Sequence, residues 1–351
     1  MKNILYALLA LFCIGVTACD NDDTVELASL NIIKSTVDFN AIGGEGYVML
    51  ENGSNELKVT SNMEWCSIKD VTSDKITFSV TQNNGITTRT ATITLGLGAT
   101  VKRVSITQMG LIVKYGSDTF YRCPENIAFS KTVNFTSTLS VSVSIDPNAQ
   151  NWLSYASVEE GYVFTGTAND SGSPRLGKVT ITSGSISSDY YFYQYGLSDL
   201  LGEYSGAVQL YSDYFGLDFA IPLEKNTRII EKEGSSGKYM LELPMLDLLN
   251  ATLEMEAIYQ NGIFIITTPQ QQDYRLSIGY GSIIAKASDG LYLRADIGVA
   301  PTILSNGEIA LTYVSDVYPI LGLFTGRVPT ANNYTGNSID FPVILMQKTA
   351  E

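Results

Sequence analysis

The sequence predicts an all-β chain: two tandem β-sandwiches followed by an antiparallel β-meander domain. Three observations lead there. Apolar and polar residues alternate with period two through most of the chain, a set of residues recurs at a fixed interval, and Gly, Asn, Asp and Pro cluster between the alternating runs. With 351 residues, 45% hydrophobic and 17% charged, the chain has material for several buried cores. Tyr is abundant, at 21 residues, as suits half-buried strands.

The recurrence defines the first two domains. Trp65-Cys66-Ser67-Ile68 is answered by Trp152-Leu153-Ser154-Tyr155 87 residues later. Asn83 is answered by Asn169, Arg89 by Arg175, and Gln108-Met109-Gly110 by Gln194-Tyr195-Gly196, each 86 residues on. A one-residue difference in length between Trp and Asn accounts for the 87. Within the first unit Ile76, Phe78 and Val80 share a face, as do Ala91, Ile93 and Leu95, and Val104 and Ile106. In the second, Val141, Val143 and Ile145 alternate, as do Val179 and Ile181. Turn signals such as Asn83-Asn84-Gly85 and Asp146-Pro147-Asn148 separate these runs. About seven short strands in about 85 residues is the pattern of an immunoglobulin-like sandwich.

A Trp with Ser two positions on, an Asn at a strand end, an Arg opening an alternating strand and a closing Gln-x-Gly together resemble the BACON domain, the Bacteroidetes-associated carbohydrate-binding, often N-terminal family. The resemblance runs over residues 27–197. The second unit departs from it at Gly177, which stands where Ala91 does, and in its strand Tyr190-Tyr191-Phe192-Tyr193. Membership would imply a carbohydrate-associated surface protein. Trp65 and Trp152 occupy the position such a sandwich needs for packing, so they read as structural core, and the two sandwiches read as a stalk.

Residues 1–19 read as a secretory leader. Lys2 supplies the positive start, an apolar run from Ile4 to Val16 follows, and the run is too short to span a bilayer comfortably. Val16-Thr17-Ala18-Cys19 resembles a bacterial lipobox, which would make Cys19 the lipidation site. An ordinary signal peptide cut after Ala18 is the alternative. The acidic run Asp20-Asn21-Asp22-Asp23, within a tether over 20–26, resembles the surface-export signal of Bacteroidota lipoproteins. These features imply lipid anchoring in an outer membrane, facing the exterior. The division expected is thus leader and lipobox 1–19, tether 20–26, sandwiches 27–110 and 111–197, and a C-terminal β-barrel-like domain 198–351.

In the C-terminal domain, strands are expected at 207–211, 217–223, 227–231, 239–243, 253–259, 263–267, 275–285, 291–297, 308–314 and 341–347, with a short helical turn at 245–249. Asn261-Gly262, Asp289-Gly290 and Asn306-Gly307 are hairpin signals. The Leu-x-Gly-x-Tyr opening (Leu200 to Tyr204), Phe264 to Gln270 and the later hairpins resemble calycin-like or lipocalin-like domains. That resemblance implies a barrel or a sandwich, with any ligand inside the barrel.

The ligand candidates are Tyr214 and Phe215, a hydrophobic pair in a loop flanked by Asp213 and Gly216, together with Tyr211, Tyr274, Gln271 and Asp273. Aromatic rings beside amides and carboxylates suit sugars, the ring covering C–H faces and the polar groups bonding hydroxyls. Tyr pairs that only stabilise the sheet are the alternative. Tyr204, Phe219, Tyr280 and Tyr292 belong to the same aromatic set.

The chain has no histidine, which removes Ser-His-Asp and Cys-His catalysis and the zinc hydrolase motifs. Its formal charge of −14 would repel a phosphate backbone, so nucleic acid is not an expected partner. No cofactor or metal is expected. Glu254 and Glu256 share a strand face and are the one pair that could serve a carboxylate-only glycosidase. Cys66 and Cys123 fall in different units, so a disulfide between them is not expected. The function implied is a non-enzymatic, glycan-binding or polysaccharide-utilisation accessory lipoprotein. An adhesin-type lipoprotein that contacts an outer-membrane protein is the second reading, and the glycosidase the third.

Overall fold

The computed structural model describes residues 30–223, 227–244, 252–276 and 279–349, except for the side chains of 244 and 273–276. The leader, the lipidation site Cys19, the acidic run 20–23 and the helical turn expected at 245–249 lie outside the described residues. Among the described residues, all regular structure is β apart from two short 3-10 turns, Leu197–Leu200 and Ala331–Asn333.

The first sandwich pairs two four-stranded sheets. One runs Asn31–Ser35, Gly44–Glu51, Lys75–Val80, Cys66–Val71, and the other Asp38–Phe39, Thr100–Gln108, Arg89–Leu97, Lys58–Ser61. Alternation sends Val48, Ile76, Phe78, Ile93, Leu95 and Ile106 into a common core with Cys66. The second sandwich repeats the plan. Phe120–Pro124, Ile186–Tyr195, Arg175–Ser183 and Ser142–Ile145 form one sheet, and Leu153–Val158, Gly161–Gly166, Phe129–Ser137 and Val113–Tyr115 the other. In each sandwich one short strand pairs in parallel with the last long one. Cys66 and Cys123 are both free and buried.

The recurring residues form the same network in both sandwiches. The guanidinium of Arg89 lies 4.4 Å over the Trp65 ring, and that of Arg175 lies 4.3 Å over Trp152. Arg89 Nε donates to Gln108 Oε1 at 2.9 Å, as Arg175 Nε does to Gln194 Oε1 at 2.8 Å. Their Nη2 groups donate to the carbonyls of Thr81 and Thr167. Gln108 and Gln194 donate to the same two carbonyls, each at 3.0 Å. Trp65 is half-buried against the core, whereas Trp152 lies within it.

The C-terminal domain is a closed eight-stranded antiparallel barrel. Its strands follow chain order: Gly202–Ser212, Arg228–Glu231, Lys238–Pro244, Thr252–Gln260, Ile263–Thr267, Asp296–Ile303, Ile309–Tyr313 and Tyr334–Lys348. The last pairs with the first, Tyr204 opposite Lys348 and Val208 opposite Ile344, which closes the ring. Five further strands, Leu217–Leu223, Gln270–Leu276, Gly279–Ala287, Gly290–Tyr292 and Tyr318–Phe324, extend the sheet outside it. The interior, where the lipocalin resemblance would put a ligand, is filled. Leu253, Met255, Phe264, Ile266, Val299, Phe341 and Ile344 pack there with essentially no exposure.

Several expected strands need correction. The single strand expected at 275–285 is two strands, Gln270–Leu276 and Gly279–Ala287. The strand expected at 291–297 splits into Gly290–Tyr292 and Asp296–Ile303, and the final strand starts at Tyr334, not at 341. Tyr318–Phe324 was not expected. Six of its seven residues are buried, so it has no alternation to read.

The chain divides into compact units after Gly110, and residues from Leu111 to Glu351 form one unit. Second sandwich and barrel are therefore packed together. The strand Ile186–Tyr195 accounts for this, because its aromatic end is buried on both faces. Tyr190 and Phe192 enter the sandwich core, while Tyr193 and Tyr195 enter the core of the barrel. Tyr195 donates its hydroxyl to the Gly262 carbonyl at 2.9 Å. That carbonyl belongs to a two-residue hairpin, with φ of 52° at Asn261 and 81° at Gly262. A Cβ at Gly262 would stand 2.6 Å from both Pro124 and the Tyr195 hydroxyl. Arg122 Nε adds a bond to the Pro301 carbonyl at 2.6 Å.

Candidate functional site

The strands Gly202–Ser212 and Leu217–Leu223 pair up to Ser212 opposite Leu217, leaving Asp213-Tyr214-Phe215-Gly216 as the hairpin loop. Gly216, with φ of 64°, supplies the left-handed residue that turns the chain. Ser212 anchors the loop base. Its buried hydroxyl donates to the Ser338 carbonyl at 2.6 Å and accepts from the Phe215 N–H at 3.4 Å. At the tip the Tyr214 and Phe215 rings meet edge to face, 4.9 Å between centroids. They remain 53% and 39% exposed. Tyr211 donates its hydroxyl to Asp213 Oδ1 at 2.5 Å. That bond to a carboxylate pushes the Tyr211 phenol above its usual range, because ionising it would place two negative charges together.

Beside the loop lies a small cleft of about 200 Å³, bordered by Tyr211, Asp213, Tyr214, Lys286, Asn337 and Asp340. An ion pair forms part of its wall. Lys286 Nζ bonds Asp340 Oδ2 at 2.5 Å, and the Ser338 hydroxyl donates to Asp340 Oδ1 at 2.7 Å. The Asp340 side chain is 3% exposed and that of Lys286 34%, so one partner is sealed in and the other reaches the cleft. The bond to Asp340 raises the Lys286 pKa and keeps it charged.

The structure brings Tyr211 and Tyr214 to this cleft, with Phe215 bracing Tyr214. It does not bring Gln271 there. Gln271 lines a larger polar groove of about 750 Å³ with Glu254, Glu256, Lys232 and Lys238. The side chains of Asp273 and Tyr274 lie outside the described residues. Tyr204 is buried in the barrel, its hydroxyl bonded to the Leu200 carbonyl at 2.6 Å, and so leaves the set of sugar candidates.

Within the groove, two glutamines act as pieces of backbone. Gln270 accepts from the Glu256 N–H and donates to its carbonyl, and Gln272 does the same with Glu254. These amide pairs seal the edge of Thr252–Gln260 that no strand covers. The Glu256 carboxylate is held by Lys232 and by Lys238, which lowers its pKa. Glu254 stands opposite Glu242, itself bonded to Arg228. The two glutamates thus belong to a ladder of surface charges, and a carboxylate kept ionised by two lysines is poorly placed to donate a proton.

Lys286 and Asp340 were not singled out from sequence. The available signal was a charged residue interrupting an apolar run, Asp340 between Ile339 and Phe341, and Lys286 after Ile283-Ile284-Ala285.

Among solved structures, a three-immunoglobulin titin fragment is 11% identical over 85% of this chain and 98% of that one, at a TM-score of 0.30. The first two immunoglobulin domains of DIP-gamma are 7% identical over 48% and 97%, at 0.26. Extracellular domains 3–5 of Drosophila OTK are 8% identical over 48% and 62%, at 0.24. Scores this low carry no argument, and the sandwich assignment rests on the sheet orders. No curated protein matches the chain. Residues 54–109 match the BACON family, described as "Putative binding domain, N-terminal", and the resemblance carried by Trp65, Asn83, Arg89 and Gln108 falls within that span.

Proposed function

We propose that this chain is a non-enzymatic, glycan-binding lipoprotein of a bacterial outer membrane, anchored through Cys19 and facing outward. In this reading the sandwiches form a supporting stalk and the barrel carries the binding site. The observation that carries it is the exposed Tyr214–Phe215 pair beside a cleft of fixed polar groups. A ring can cover the apolar face of a pyranose while Asp213, Lys286 and Asn337 bond its hydroxyls. The cleft is smaller than the 300–1,000 Å³ or so of drug-sized sites. It therefore suits one sugar unit of a chain that continues over the surface. The BACON match over 54–109 supports a carbohydrate context.

A glycan-array screen of the full chain tests the reading. Binding to at least one glycan, weakened about tenfold or more by Tyr214→Ala, is expected, a factor that corresponds to about 1.4 kcal/mol. Binding that Tyr214→Ala leaves untouched would show that the glycan is held somewhere other than this cleft. Anchoring is tested by labelling cells with a palmitate analogue, with incorporation expected in the wild-type chain and lost in Cys19→Ser.

A protein-partner reading, in which the chain is an adhesin-type scaffold, draws on one feature. The edge strand Leu153–Val158 exposes its last five residues, among them Tyr155 and Val158. An open edge of that kind can accept a strand from another protein.

A further inference from the structure

We infer that the cleft beside Tyr214 selects uncharged, hydroxyl-rich glycans and rejects acidic ones, an inference that rests on the glycan-binding reading above. Three charged groups border the cleft: Asp213, Asp340 and Lys286. The one cation is already committed, its ammonium bonded to Asp340 Oδ2 at 2.5 Å. The other oxygen of Asp340 is taken by the Ser338 hydroxyl. A uronate or sulfate that drew Lys286 away would leave a carboxylate 3% exposed without its counter-ion, and an unpaired buried charge is strongly unfavourable.

Asp213 adds to the bias. It stands at the rim with one oxygen held by Tyr211, and its charge has no cation bonded to it among the described residues. Two carboxylates against one ammonium give the cleft a negative field, in a chain whose formal charge is −14. A neutral sugar avoids all of these costs. Its hydroxyls can donate to Asp213 and accept from the N–H groups of Lys286 that Asp340 does not use, since an ammonium has three donors. Both contacts leave the Lys286–Asp340 pair intact.

The test is affinity-gel retardation of the full chain in neutral polymers (mannan, xyloglucan, arabinan) and in acidic ones (polygalacturonate, alginate, chondroitin sulfate), at low and high salt. Retardation by at least one neutral polymer and by none of the acidic ones is expected. Asp213→Lys reverses the charge at the exposed rim and should bring on, at low salt, a retardation in polygalacturonate that the wild-type chain does not show. Retardation of the wild-type chain by an acidic polymer, abolished by Tyr214→Ala, would overturn the inference and leave glycan binding standing. Retardation by no polymer of either kind would overturn both.

Discussion

Gly177 shows how one missing methyl group can define a domain. In the first sandwich the equivalent position is Ala91, and Trp65 stays half-buried. In the second, a Cβ at Gly177 would lie 2.8 Å from the Trp152 ring, and Trp152 sinks into the core. Gly166 does the same for Phe129, whose ring a Cβ there would meet at 2.2 Å. Gly177 stands in register with Phe192, so it lies beside the aromatic strand that is the second unit's other departure from the BACON pattern. Gly177→Ala should lower stability by about 1–3 kcal/mol through overpacking, read from urea unfolding. An unchanged midpoint would mean that Trp152 can shift without loss. The recurring Trp, Arg and Gln were legible in the sequence because both copies must keep the same contacts. Lys286 and Asp340 were less so. They lie on strands 54 residues apart, and nothing local to either announces the other.

At the scale of single elements, the strand Ile186–Tyr195 carries two cores. Alternation normally sends one face to a core and the other to water. Here Tyr190 and Phe192 face one core while Tyr193 and Tyr195 face another. The run of tyrosines was visible in the sequence, but its second partner was not, because that partner is the Asn261-Gly262 hairpin nearly seventy positions on. Tyr195→Phe removes the bond to the Gly262 carbonyl and leaves a buried acceptor without a donor. A loss of about 1–3 kcal/mol is expected in denaturant unfolding of the unit beginning at Leu111. No loss would indicate that the hairpin docks by shape alone. The same scale explains Tyr318–Phe324, a strand covered on both sides and so without the period that marks the others. It explains Gln270 and Gln272 as well, the neighbours of Gln271, whose amides are bonded to the backbone of a neighbouring strand.

For the molecule as a whole, the sequence located two sandwiches and a β-meander, and the structure adds the closure of the barrel and its union with the second sandwich. Closure depends on a strand of fifteen residues, Tyr334–Lys348. Its first half pairs with Tyr318–Phe324 and its second half with Gly202–Ser212. That strand also holds Asp340 and Ser338, so the element that closes the barrel builds one wall of the cleft. The proposed function puts binding in this cleft and gives the first sandwich a supporting role. The most direct test is polysaccharide retardation of three chains side by side: residues 24–351, residues 111–351, and residues 24–110. Equal retardation of the first two, abolished in both by Tyr214→Ala, is expected, with the third migrating freely. Retardation of residues 24–110 on their own would contradict it and place sugar binding in the BACON-like sandwich.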